Sequence, residues 1–98
     1  MKIALYGKAF GRDYDGLMRD VLRILHEAEV EVLVYKPFGE GIKHCLEGII
    51  DYQYFETSEE LQANVDMLFS FGGDGTILDT VPLIRDSGIP VLGINTGN

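Results

Sequence analysis

Three glycines and one acidic residue stand together in the segment Gly72-Gly73-Asp74-Gly75-Thr76. An apolar run at 65–71 precedes the segment and a run with helical spacing follows it, so we expect the glycines at a strand-to-helix turn. Residues without a Cβ let backbone amides approach an anion closely, and a helix N-terminus adds positive potential. The pattern therefore predicts a phosphate-binding loop. It fits neither the Walker pattern nor the dinucleotide fingerprint, which needs a further glycine.

Asp74 is unusual in such a loop because its carboxylate would repel phosphate. Within hydrogen-bond reach of a substrate hydroxyl, Asp74 could accept the proton as that hydroxyl attacks a γ-phosphoryl group, with Mg²⁺ spreading the charge. The alternative is that Asp74 only caps a helix starting near Thr76. Spacing leaves both interpretations open. Thr76 and Asp79 could orient substrate or metal, although a capping Thr and an Asp in the first helical turn are commoner.

Two further polar loops follow predicted strands. Lys8 and Arg12 come after the first strand, and Asn95 follows the run at 89–94. Loops after parallel strands share one edge of the sheet, where ligands bind, so these residues should converge with the glycine-rich segment. Lys8 and Arg12 could contact phosphate, although solvated loop cations are commoner, and Asn95 could bind a ligand or simply form a turn.

The segment Gly72 to Thr76 after a hydrophobic strand resembles the signature shared by NAD kinases and by diacylglycerol- or sphingosine-type lipid kinases, with a close variant in phosphofructokinases. Ile89-Pro90-Val91-Leu92-Gly93-Ile94-Asn95-Thr96-Gly97 resembles the second NAD-kinase motif, which a Leu-Gly-Phe segment normally continues. Lipid kinases instead carry Pro-x-Gly-Thr-x-Asn-Asp at a similar distance and Asn-Pro-x-Ser-Gly after the first strand, and neither stands here. The chain therefore resembles the N-terminal segment of an ATP-dependent NAD kinase.

This resemblance implies roles for individual residues. In that family the Asp matching Asp74 is the proton acceptor for the 2′-hydroxyl of the adenosine ribose, and the position matching Gly75 contacts NAD. The glycines matching Gly72 and Gly73 bind phosphates. The substrates would be ATP and NAD, with Mg²⁺ or another divalent metal accompanying ATP and no metal ligand assigned to the protein. The implied nucleotide-binding positions are Gly72, Gly73, Asp74, Gly75, Thr76 and Asn95.

The resemblance also implies the organisation of the protein. Residues 1–98 would form the N-terminal α/β nucleotide-binding domain of a homo-oligomeric cytoplasmic enzyme, whose second, β-rich domain lies outside this sequence. Because that domain supplies the other wall of the site, we expect the segment alone to be inactive or nearly so. The alternatives are a lipid (diacylglycerol-type) kinase domain and a non-catalytic nucleotide-binding domain.

Composition narrows the partners. The 98 residues carry 8 Lys and Arg against 16 Asp and Glu, a net charge of -8, which argues against nucleic acid and acidic membranes as partners. Cys45 is the single cysteine, so no intrachain disulfide can form, and this fits the cytoplasm. Neither Cys45 nor His26 nor His44 has neighbours at metal-ligand spacing, so no metal site is predicted. No apolar run approaches the roughly 20 residues of a membrane span.

Alternating strands and helices predict a Rossmann-like α/β domain of three layers with a mainly parallel sheet. The predicted strands are 2–6, 31–35, 65–71 and 89–94, and 52–55 is either a short strand or an aromatic loop at an edge or subunit interface. The predicted helices are 15–28, a glycine-weakened 38–50, 58 to about 64 with Ser58 as N-cap, and 76–86 with Gly88 as C-cap. Pro82 predicts either a kink in the last of these or a late start.

Overall fold

The structure of the protein is a computed structural model, which describes residues 1–8, 12–61 and 65–96. The strands are β1 (Lys2–Gly7), β2 (Glu31–Tyr35), β3 (Gln53–Phe55), β4 (Met67–Gly72) and β5 (Val91–Asn95). The helices are α1 (Asp15–Glu27), α2 (Lys36–Gly41), α3 (Lys43–Leu46), α4 (Ser58–Leu61), α5 (Asp74–Asp79) and α6 (Val81–Ile84), and a 3-10 turn at Arg12–Tyr14 precedes α1. Over these ranges, no helix combines the length and the apolar character that crossing a bilayer requires.

The sheet has the order β3-β2-β1-β4-β5, and every described pair of neighbouring strands is parallel. The chain moves outward from β1 through β2 to β3 and then crosses back to place β4 on the other side of β1. The order therefore reverses between β1 and β4, and a crevice is expected at such a switch point, outside the carboxyl ends of the strands. The prediction of a mainly parallel α/β sheet is confirmed.

Apolar side chains pack on both faces of the sheet. Along β1, Ile3 and Leu5 belong to the cluster under α1, α2 and α3, whereas Ala4 and Tyr6 belong to the cluster on the side of α4 and α6. Successive side chains of a strand point to opposite faces, so a run that is apolar at every position is what a strand covered on both sides requires. The predicted three layers are confirmed.

Helix α1 follows the predicted amphipathic pattern. Its buried residues are Met18, Leu22 and Leu25, which recur at helical spacing and pack against the sheet. It begins at Asp15 as predicted and ends at Glu27, one residue earlier than predicted.

The glycine-weakened segment 38–50 forms two short helices instead of one. Strand β2 ends at Tyr35 and Pro37 lies in the first turn of α2, where its missing N–H is tolerated. Gly39 is fully covered, since a Cβ there would come within 2.9 Å of Val34 Cγ1. Without a side chain at this position α2 can lie close to the sheet.

The aromatic segment 52–55 contains a strand, β3, at the edge of the sheet. Phe55 is buried, and the rings of Tyr52 and Tyr54 lie 5.4 Å apart at a tilt of 52°. These contacts agree with the edge-packing interpretation of the aromatic residues.

The N-cap of α4 differs from the prediction of Ser58. The Glu60 N–H donates to Thr57 Oγ1 at 3.2 Å, and the Thr57 N–H donates to Glu60 Oε1 at 3.2 Å. This reciprocal pair is a capping box, in which Thr57 is the N-cap. Ser58 is instead buried, so the prediction for it was wrong. The remainder of the predicted helix, 62–64, lies outside the described residues.

The predicted helix 76–86 is divided into α5 and α6. Helix α5 starts two residues earlier, at Asp74, and ends at Asp79. Thr80 Oγ1 donates to Ile77 O at 2.7 Å, and α6 then begins with Pro82 in its first turn. The predicted break near Pro82 is confirmed. Gly88 is not the C-cap, because α6 ends at Ile84 and is capped by Arg85 at a φ of 48°.

Candidate phosphate-binding site

The glycine-rich segment makes the predicted strand-to-helix turn. Gly72 ends β4 at a φ of +148°, a conformation that residues with a Cβ rarely adopt. Its Cα also lies against Thr76, since an added Cβ would come within 2.9 Å of Thr76 Cβ. Gly73 is the N-cap residue of α5, and its carbonyl accepts the Thr76 N–H at 3.1 Å. Thr76 therefore does not cap the helix but packs over the turn.

The backbone excludes one alternative for Asp74. Gly73 occupies the N-cap position and Asp74 is the first residue of α5, so Asp74 is not the N-cap residue of this helix. The side chain of Asp74 lies outside the described part of the chain, and its role as a base stays a prediction. Gly75 follows in the first turn and is exposed, with no described side chain or backbone atom within 4 Å of where its Cβ would be.

The second motif reaches the same point of the sheet. Asn95, the last residue of β5, is the parallel-sheet partner of Gly72, and the Thr96 N–H donates to Gly72 O at 3.4 Å. Gly93 lies against α5, since a Cβ there would come within 2.6 Å of Ile77 Cδ1. The structure thus brings Asn95 beside the glycine-rich turn, as expected from the parallel strands. Gly97 lies outside the described residues.

Lys8 is also at this edge, but it has a protein partner. Its Nζ lies 2.5 Å from Asp79 Oδ2, which joins the end of β1 to α5. The hydrogen bond and the charge of Asp79 raise the pKa of Lys8. Asp79 was predicted in a first helical turn, where it would favour the helix dipole, and this was wrong. Because α5 starts early and ends at Asp79, Asp79 stands in its last turn, where the charge of Lys8 offsets that of the carboxylate.

Tyr6 lies near this ion pair, whereas Arg12 lies elsewhere. Burial, followed by the charge of Asp79, raises the pKa of the Tyr6 hydroxyl, and the Tyr6 ring packs 4.9 Å from that of Tyr35. Arg12 is exposed in the 3-10 turn before α1 and its charge acts on Cys45, on the side of the sheet covered by α1 and α3. The two predicted cations thus lie in different surroundings.

Backbone N–H groups are the main groups of the described site that could bind a phosphate. In proteins generally, a glycine-rich turn followed by the first amides of a helix can bind an anion, and Gly72, Gly73 and Gly75 give this segment that type of backbone. Helix α5 has six residues, so its dipole is shorter than that of the predicted helix 76–86. A groove of about 410 Å³ lies at the opposite end of the strands. Glu31 and Asp51 line it together with Lys2, so its acidic groups outnumber its basic one and disfavour phosphate.

Sequence reasoning missed one group of side chains. His44 Nε2 lies 2.9 Å from Asp15 Oδ2, and Cys45 lies beside them, so the two residues that spacing left without ligand neighbours form a cluster with Asp15. Asp15 begins α1 whereas His44 and Cys45 belong to α3. The adjacency of His44 and Cys45 was the only local signal, since Asp15 stands 29 residues before His44.

Residues 8–98 match the model of the family described as ATP-NAD kinase N-terminal domain. The chain belongs to this family. Among curated relatives, an NAD kinase of Christiangramia forsetii is 37% identical over 97 residues, which cover 99% of this chain and 33% of that protein. An NAD kinase of Flavobacterium johnsoniae is 34% identical over 97 residues, which cover 99% of this chain and 33% of that protein. The chain therefore spans about a third of the length of the curated relatives it matches.

A solved structure supports the fold of this ATP-NAD kinase N-terminal domain. Yeast NADH kinase complexed with NADH superposes with a TM-score of 0.77 at 24% identity, covering 100% of this chain and 30% of that chain. The family match also decides between the two resemblances of the glycine-rich segment, in favour of NAD kinase over the lipid kinases.

Proposed function

We propose that this chain is the nucleotide-binding part of an ATP-dependent NAD kinase. The full-length enzyme would transfer the γ-phosphoryl group of ATP to the 2′-hydroxyl of the adenosine ribose of NAD, which gives NADP and ADP. The observation that carries this proposal is the pairing of Gly72 with Asn95, because it brings the two family motifs together at one point of the sheet edge. Membership of the ATP-NAD kinase N-terminal domain family supports it.

The glycines and Asp74 would have different roles at the carboxyl ends of the strands. Backbone amides of Gly72, Gly73 and Gly75 would face phosphate oxygens, since they have no Cβ to keep a ligand away. Asp74 would accept the proton of the 2′-hydroxyl while that oxygen bonds to the γ-phosphorus and the bond to the ADP oxygen breaks. Asp74 is the first residue of α5 and directly follows Gly73, and this position supports the proposed role.

Thr76 and Asn95 would have supporting roles. Thr76 packs on Gly72 and would preserve the shape of the turn, and Asn95 is exposed at the end of β5, where it would contact the nucleotide. Lys8 is already paired with Asp79. We therefore assign the phosphate to the backbone turn and assign no phosphate contact to Lys8 or Arg12.

Mg²⁺ would reach the site with ATP. It prefers oxygen ligands and is commonly held by substrate phosphates and a few carboxylates. The described oxygen donors near the turn are mainly backbone carbonyls and the Thr76 hydroxyl, and the carboxylate of Asp79 is engaged by Lys8. This set fits a metal held chiefly by the phosphates of ATP, which it would help to neutralise, and we assign the ion no protein ligand.

The proposal includes the setting of the enzyme. We place the full-length protein in the cytoplasm as a homo-oligomer, and the free, buried thiol of Cys45 is consistent with a reducing compartment. We also expect the 98-residue chain alone to form little NADP, because phosphoryl transfer requires both substrates to be positioned with water excluded. Formation of NADP well above a no-protein control would contradict that expectation.

The decisive test is Asp74→Asn in the full-length protein that contains this chain. Asn preserves the shape but cannot accept the proton, so we expect kcat for NADP formation to fall by about 100-fold or more while the KM for NAD changes little. Asp86→Asn, an exposed carboxylate in the turn after α6, is the matched control and should retain wild-type activity. Activity of Asp74→Asn within a few-fold of wild type would refute the assignment of the base.

A further inference from the structure

Asp15, His44 and Cys45, called the Asp15 cluster below, bring together three different kinds of ligand side chain. Each offers one ligand atom, and these atoms all lie within 4.8 Å of one another. Among the side chains that the structure describes, this is the one group of three or more His, Cys, Asp or Glu residues with such spacing. We propose that the Asp15 cluster binds a transition-metal ion, with Zn²⁺ as the ion it suits best.

The donor set favours Zn²⁺ over the metals that accompany nucleotides. A thiolate, an imidazole and a carboxylate are the ligands of zinc sites, whereas Mg²⁺ and Ca²⁺ take oxygen ligands. Three protein ligands leave one tetrahedral position for water. With metal-to-ligand distances of about 2.0–2.3 Å, the ligand atoms of a tetrahedral zinc site lie roughly 3.3–3.8 Å apart. The cluster therefore needs shifts of about 1 Å or less, for which the 28% exposed side chain of His44 leaves room.

An unsatisfied oxygen is a second and independent observation. Oδ1 of Asp15 is buried and accepts no hydrogen bond from an N–H or O–H group of the described residues. Oδ2 of the same carboxylate pairs with His44, and the thiol of Cys45 is the other donor near the carboxylate. The Asp15 side chain as a whole is 13% exposed. A buried polar atom without a partner is destabilising, and a bound cation would remove that cost.

A purely structural reading accounts for only part of the cluster. Asp15 in the first turn of α1 favours the helix dipole, and its hydrogen bond to His44 joins α1 to α3. The Cys45 thiol also interacts with the Asp15 carboxylate by a hydrogen bond, but a thiol is a weak donor and compensates little for the burial of a carboxylate oxygen. Arg12 and Arg19 lie close enough for their charges to act on the cluster. They will weaken cation binding, but they do not change the donor set.

A bound metal would join two helices. Its ligand from Asp15 lies at the start of α1, and its ligands from His44 and Cys45 belong to α3. Binding would therefore stabilise the fold without a part in phosphoryl transfer.

The test uses the untagged 98-residue chain after treatment with a chelator. Calorimetric titration should give one Zn²⁺ per chain, and millimolar Mg²⁺ should not compete. Titration with Co²⁺, a spectroscopic substitute for zinc, should give a thiolate-to-cobalt charge-transfer band together with the intense visible bands of four-coordinate cobalt. The absence of the charge-transfer band from the wild-type chain would overturn the proposal, and this measurement needs no variant.

Variants then locate the ion. Cys45→Ser and His44→Gln should each weaken Zn²⁺ binding by at least about tenfold and should abolish or alter the cobalt spectrum. His26→Gln is the matched control, since His26 is an exposed histidine in the last turn of α1, and it should bind zinc like wild type. Wild-type affinity in Cys45→Ser, or an equal loss in His26→Gln, would show that zinc binds elsewhere and would overturn the proposal.

Discussion

Thr76 lies against the Cα of Gly72, close enough that a methyl group on Gly72 would come within 2.9 Å of Thr76 Cβ. The contact joins the last residue of β4 to the first turn of α5 and leaves no space for a side chain. Gly72 is doubly constrained, because its φ of +148° also disfavours any residue with a Cβ.

Gly72→Ala should therefore destabilise the chain by about 1–3 kcal/mol from backbone strain, with the contact to Thr76 adding to the loss. Gly75→Ala is the control, because Gly75 has helical surroundings and open space around its Cα. Its stability should be unchanged or higher by up to about 1 kcal/mol. Urea denaturation measures both variants, and equal effects at the two positions would contradict the structural account.

Asp79→Asn should lower the pKa of Lys8. The hydrogen bond and the charge of Asp79 both favour the protonated amine, and the substitution removes the charge. An NMR titration of isotopically labelled lysine side chains would report the shift. Asp86→Asn should leave the Lys8 titration unchanged, and an unchanged Lys8 in Asp79→Asn would show that the ion pair does not form in solution.

Thr57→Ala should destabilise the chain by about 1 kcal/mol, because it removes the N-cap of α4. Ser58→Ala should cost much less, since the Ser58 hydroxyl is buried without a hydrogen-bond partner among the described residues. Thermal denaturation of the two variants distinguishes the observed cap from the one predicted from sequence. A larger loss of stability in Ser58→Ala than in Thr57→Ala would show that Ser58 is the N-cap of α4, as the sequence predicted.

Glu60 should make stability depend on acid pH. Hydrogen bonds from the backbone of Glu56 and Thr57 hold the pKa of Glu60 below its ordinary value of 4.5. A carboxylate with a lowered pKa stabilises the folded state above its unfolded pKa, and that contribution is lost as the pH falls through the folded pKa. Glu60→Gln should therefore show a flatter fall in stability below about pH 4.5 than wild type, measured by urea denaturation at a series of pH values.

Strands and the amphipathic helix α1 were the part of the fold that the sequence predicted best. The β-branched run of β2 ends at Tyr35 because Pro37 follows, and its bounds were predicted correctly. Helix ends were predicted less well, since several polar residues compete for each cap. Thr57 and Ser58 are both residue types that commonly cap helices. Only the glutamate three residues after Thr57, Glu60, indicates that Thr57 forms the capping box.

The candidate site also has a part that the sequence predicted and a part that it did not. The convergence of Gly72 and Asn95 follows from parallel strands and could be predicted. The pairing of Lys8 with Asp79 and the meeting of Asp15 with His44 join residues from elements far apart in the chain. The spacing of apolar residues in the sequence does not predict such contacts, because they depend on how neighbouring helices and strands are placed around the sheet.

The central position of β1 has a consequence during synthesis on the ribosome. β1 can pair with β2 as soon as Tyr35 has emerged, but its other edge stays open until β4, which starts at Met67, is made. At about 5–20 residues per second, that interval is on the order of seconds. During this time a nascent chain would present an unpaired, apolar strand edge, the kind of surface to which chaperones bind and from which aggregation starts.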